Sequence, residues 1–158
     1  LPDESAFAPA ASVQSAEQAA QPAQSSWDGT GVPDTYDFSF AWETDTQYYA
    51  ESFPYHYDNM NQWIVDNADR LNIRYVMHTG DIVDDVDMGG EWVNADHSMK
   101  ILDDAGMPNG VLAGNHDVCA GMEGYGNFWK YFGEDRYNSK PWYGGSYKNN
   151  LGHYDLLS

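Results

Sequence analysis

"IRYVMHTGDIVDD", residues 73–85, runs from an apolar stretch through a glycine into three aspartates. Residues 73–79 read as a strand ending at Gly80, because β-branched and aromatic residues dominate and a turn residue closes the run. Asp81 then stands at the end of a buried strand, where an uncompensated charge costs several kcal/mol. Something must neutralise that carboxylate, and a metal ion is one candidate.

Upstream, "DFSFAWET" (37–44) sets Phe38, Phe40 and Trp42 on one face and predicts another strand. Met60, Trp63, Ile64, Ala68 and Leu71 recur at helical spacing and predict an amphipathic helix over 56–71, packed on a sheet. Downstream, Trp92, Ala95, Met99 and Leu102 share a second helical stripe. It stops at "AGMP", where Gly106 can adopt a left-handed cap and Pro108 blocks continuation. "GVLA" (110–113) predicts a short third strand that runs into "GNHD". Strands alternating with helices imply right-handed crossovers and a parallel sheet, and ligands of such sheets gather beyond the carboxyl ends of the strands. Three polar clusters fall there: "TDTQ" (44–47), "GDIVDD" (80–85) and "GNHD" (114–117).

Composition narrows the partners. With 158 residues, 42% of them apolar, and six Trp, the chain can bury one core. The 25 acids against 7 bases, a formal charge of −18, argue against nucleic acid or an anionic membrane surface as partner. No apolar run approaches the roughly 18 residues of a membrane span. Cys119 is the only cysteine, which excludes a disulfide within the chain and a thiolate cluster, so a metal here must take O and N ligands. Residues 1–26 are rich in Ala, Ser, Gln and Pro and hold no Lys or Arg. Residues 1–36 are therefore expected to be a low-complexity flexible segment, with the folded part at 37–158. The acidic surface and this leading segment suggest a secreted or cell-surface protein.

Asp45, Gln47, Asp81, Asn115 and His116 form a set of hard oxygen donors plus one imidazole, brought from three strand ends. Such donors suit divalent or trivalent ions, and a pair of ions about 3.5–4 Å apart clamps a phosphate and acidifies a bridging water.

The ordered motifs "DTQ" (45–47), "GDIVD" (80–84) and "GNHD" (114–117) resemble the calcineurin-like metallophosphoesterases. The match is to a bacterial branch with D-x-Q where most members carry D-x-H. The resemblance implies an α/β fold of two packed sheets flanked by helices, of which 37–158 would be the N-terminal part. It also implies a site with two metal ions (Mn, Fe or Zn) that hydrolyses phosphate mono- or diesters with a metal-bound hydroxide. In that scheme Asp45 and Gln47 bind the first metal, Asp81 bridges, and Asn115 binds the second metal and the phosphate. His116 protonates the leaving oxygen, oriented by Asp117, and Asp84 anchors its loop through backbone amides. The family's later histidines have no counterpart after His116, so a C-terminal half is needed to complete the site. His153 reads instead as a strand residue. A non-catalytic surface module and a calcium-dependent binding domain are the rival readings. Asp85, Asp87 and Glu91 read as helix-start acids, and His78 as a packed strand residue. His56 and His97 read as surface residues and Cys119 as a small buried filler. Phe128, Trp129 and Phe132 read as a packing face; Trp142, Tyr143 and Tyr147 could line a cleft, though core or loop packing is the commoner role of such aromatics.

Overall fold

Pro54 decides the first departure from those expectations. A proline lacks the amide N–H that a helix interior needs, but it is well placed at a helix start. The computed structural model, which describes residues 35–118, 122–147 and 152–158, accordingly has two helices where the periodicity suggested one. Strand β1 (Ser39–Glu43) leads into a short helix α1 (Gln47–Ser52), and Pro54 opens helix α2 (Pro54–Asn67). The expected helix over 56–71 thus starts earlier and ends earlier, and Ala68 and Leu71 pack on the core from the turn that follows it. Trp63 is exposed, while Tyr57, Asn61 and Ile64 are the buried stripe. A tyrosine and an asparagine, and not the tryptophan, face inward on this helix.

Strand β2 (Ile73–His78), helix α3 (Gly89–Asp104) and strand β3 (Asn109–Val111) follow. Trp92, Ala95, Met99 and Leu102 of α3 are all buried, as their spacing predicted. Gly106 adopts a φ of +69° just past the helix end, a conformation that glycine reaches without strain. A 3-10 turn (Met122–Tyr125), helices α4 (Gly126–Phe132) and α5 (Glu134–Tyr137), and an antiparallel hairpin of β4 (Tyr143–Tyr147) and β5 (Gly152–Asp155) complete the described elements. His153 is indeed a strand residue. Phe128 and Phe132 are buried, with Trp129 half-buried beside them. Trp142 is core and not cleft: it is buried, with its indole N–H 3.3 Å from the Asn109 carbonyl. Cys119 and most of 1–36 lie outside the described residues.

The fold class is α/β, with a parallel sheet in the order β1-β2-β3. Register is what positions the loops. Glu43 pairs with His78, and His78 pairs with Val111, so the three strands end level with one another. The segments that follow, carrying Asp45, Asp81 and Asn115, therefore emerge side by side. In β1 the residues alternate: Ala41 packs on the core and Glu43 is buried, whereas Phe38, Phe40 and Trp42 stay exposed, Trp42 at 70%. No helix among the described residues is long and apolar enough to cross a membrane.

Candidate functional site

The rim beyond the strand ends is built on two glycines that no other residue could replace. Gly80 has φ +103°, and a Cβ there would collide with the backbone nitrogen of Gly114. A Cβ on Gly114 would in turn strike the backbone and carboxylate of Asp81. The "GD" and "GN" turns are thus interlocked at atomic contact. On either side, Asp45 and Asp81 share the same left-handed φ of +53°. Non-glycine residues visit that region at a cost, aspartate less than most, and such outliers concentrate at functional sites.

Several bonds hold the two aspartate loops together. Asp45 N–H donates to the Gly80 carbonyl at 3.1 Å. Gly80 N–H donates to Nδ1 of His78 at 3.1 Å, so Nδ1 is the acceptor and Nε2–H donates to Thr46 Oγ1 at 2.8 Å. Burial lowers the pKa of His78 to about 4, against the upward pull of Asp45 and Asp81, so the imidazole is neutral at ordinary pH. The expected packed histidine is therefore also a bridge between loops. Gln47 is buried at the start of α1. In the amide orientation that matches its neighbours, its nitrogen donates to the carbonyls of Asp45 at 2.9 Å and Asp81 at 3.2 Å.

The roles expected of Asp117 and Asp84 are exchanged. Asp117 is fully buried. Its Oδ1 accepts from the amides of Ile82 (2.8 Å) and Val83 (3.0 Å), and its Oδ2 accepts from Gly114 (2.7 Å). It staples the "GDIV" turn to the "GNHD" turn and makes no bond to the ring of His116. Burial pushes its carboxyl up while the three amides pull it down. His116 is oriented by Asp84 instead: Nδ1 lies 2.8 Å from the Asp84 carbonyl and 3.6 Å from its carboxylate. A carbonyl can only accept, so Nδ1 carries the proton and Nε2 is left for exchange. That backbone bond is the main cause holding the His116 pKa above its ordinary value.

The amides of Asp84 and Asp85, which bare sequence gave no partner, donate to Oε2 of Glu91 at 2.8 and 3.1 Å. Glu91 is buried at the start of α3, so this helix-start acid also fixes the loop that holds His116. Nothing in its spacing distinguished it from an ordinary dipole-complementing glutamate. Glu43, at the end of β1, is a second missed residue. Both carboxylate oxygens are buried without a partner among the described residues, and burial raises its pKa to about 7.

Asp45 engages Thr44 through Oδ2 (2.6 Å), and Asp81 accepts the His116 amide through Oδ1 (3.0 Å). Among the described residues the second oxygen of each carboxylate is uncommitted, and the exposed Asn115 side chain makes no hydrogen bond. Carboxylate and carboxamide oxygens are the donor types that hard cations take. Among the described residues no three His, Cys, Asp or Glu side chains are grouped so as to hold a metal ion, although Asp45, Asp81, Asp84 and His116 all stand on this rim. A groove of about 850 Å³ lies elsewhere, at the amino ends of the strands, lined among others by Phe38, Phe40, Val65, Ile73, Pro108 and Leu157. It contains none of the residues just described.

No protein-family model matches the chain. Over 121 residues, 77% of this chain, it is 59% identical to a Bacillus subtilis (strain 168) protein described as "Uncharacterized protein YvnB". The chain spans only 9% of that relative's length.

Proposed function

We propose that residues 37–158 form the front part of a calcineurin-like metallophosphoesterase, a metal-dependent hydrolase of phosphate mono- or diesters. One observation carries the reading. Asp45, Asp81, Asn115 and His116 emerge from level ends of adjacent parallel strands, with both aspartates in the same left-handed conformation and the His116 Nε2 without a partner among the described residues. Asp45, Asp81 and Asn115 would hold divalent or trivalent ions, which supply neutralisation of the phosphate and an acidified water. This chain's own residues do the rest. The Asn115 amide donates to a phosphate oxygen, and His116 gives the proton on Nε2 to the leaving oxygen while Asp84 keeps Nδ1–H engaged. The exposed Phe38, Phe40 and Trp42 support a layered fold of two packed sheets, since parallel sheets ordinarily have both faces covered. The ligand set is short of a full dinuclear cage, in keeping with further ligands from a C-terminal half.

A rival reading draws on Gln47. With its amide nitrogen turned to backbone carbonyls, the first cation position keeps one acidic ligand, which suits a non-catalytic surface module binding a single ion. The full-length protein, supplied with manganese and assayed on para-nitrophenyl phosphate and its bis ester, separates the two. Turnover that His116→Asn reduces by about a hundredfold or more supports the hydrolase. Turnover indifferent to His116→Asn and Asn115→Ala, or none at all, sinks it.

A further inference from the structure

We infer that Gln47 is a positioning residue, which sets the separation of Asp45 and Asp81 by gripping both backbones, and not a metal ligand. The inference rests on reading those two aspartates as cation ligands. In the amide orientation that gives both groups a partner, assigned from this hydrogen-bond network, the single primary amide nitrogen reaches the carbonyls of both residues, at 2.9 and 3.2 Å. Both residues sit at φ +53°, a conformation that relaxes unless surrounding bonds hold it. Asp45 N–H to Gly80 and Thr46 to His78 tie neighbouring points, but Gln47 is the side chain that binds the two aspartates' own carbonyls.

The residue type follows from the task. Two carbonyls need two N–H groups on one atom, and a neutral carrier avoids burying a charge beside two carboxylates. Glutamate has no donor and would repel both carbonyls. Histidine offers one N–H per nitrogen and cannot serve two acceptors from one atom. The position that most relatives by resemblance fill with a metal-binding imidazole is thus used here to brace the backbone from behind.

Gln47→Glu makes the two roles give opposite signs. In the full-length protein, manganese affinity by calorimetry falls about tenfold to a hundredfold if Gln47 braces the loops, as for other groups that orient ligands. A directly coordinating Gln47 gains a carboxylate ligand in the same variant, and tighter manganese binding overturns the inference. Gln47→Met supplies a reading free of metal. In EDTA, amide hydrogen exchange at Asp45, whose N–H is held by Gly80, accelerates by about tenfold and the melting temperature falls. Unchanged exchange and melting in Gln47→Met also overturn it. Should the wild-type protein bind no manganese, the hydrolase reading fails, while the EDTA arm still decides what Gln47 does.

Discussion

The two ends of the parallel sheet are made of opposite materials. At the carboxyl ends stand interlocked glycines, two left-handed aspartates and a dense set of polar bonds. At the amino ends lies the roomy groove, lined by Phe38, Phe40, Ile73 and Pro108 among others, with no charged side chain in a strained conformation. A left-handed residue also stands at the amino end of β2, Asn72 at φ +45°, anchored by its side-chain amide to the Asp37 carbonyl. At the carboxyl rim the two left-handed residues are both carboxylates, and bonds from several segments hold them.

Substitutions at the two ends can break this contrast, and the largest effect belongs to Asp117. Asp117→Ala leaves the amides of Ile82, Val83 and Gly114 without an acceptor in a buried place, and should lower stability by about 3–5 kcal/mol. Denaturant titration that finds a loss of under about 1 kcal/mol would show that the staple is redundant.

Next comes acid sensitivity. His78 is depressed from 6.5 to about 4 in the folded state. Between those pH values the unfolded chain binds a proton that the folded chain refuses, so stability is lost as pH falls through this window and is untouched above it. The full interval corresponds to about 3 kcal/mol for the metal-free protein. His78→Gln, which keeps a neutral polar group, should flatten that part of the stability profile; an unaltered slope would mean that His78 is protonated without penalty.

A smaller effect is expected at Glu91. Glu91→Ala should cost about 1–2 kcal/mol by freeing the Asp84 and Asp85 amides, and should bring the NMR-measured pKa of His116 back toward its ordinary value. Asp84→Ala keeps the carbonyl that His116 binds, so it should move that pKa less than Glu91→Ala does. The reverse order would assign the orientation of His116 to the carboxylate.

At the groove, Phe40→Ala made in residues 35–158 alone should change stability by less than about 0.5 kcal/mol, as exposed substitutions usually do. Manganese affinity should be unmoved. A loss well beyond that in the full-length protein would mean that this end is covered there and that the contrast belongs to the isolated unit.

Much of this arrangement was legible in the residues. The alternation of strands and helices, the α3 stripe of Trp92, Ala95, Met99 and Leu102, and the three polar clusters at strand ends follow from hydrophobic period and turn chemistry, which are local. Asp117 and Asp84 were legible as a pair but not in their roles. A carboxylate and a carbonyl compete for the same donors, and only the path of the backbone decides which donor reaches which. Gln47 reads as a ligand from its place in the "DTQ" motif; which way its amide is turned is invisible in a string of letters. Trp63 and Trp142 show the same limit, one expected in and found out, the other left between cleft and core and found in the core.

The sequence by itself determined the α/β class, the placing of the three polar clusters at strand ends, and the glycine that closes each of the second and third strands. Those features depend on periodicity and on backbone conformations that few residues can adopt. Tertiary structure alone decided which acids face one another, which carbonyls Gln47 grips and which nitrogen of His116 is free. Those outcomes depend on distances between segments more than thirty residues apart in the chain, and hydrogen bonds discriminate at a few tenths of an ångström.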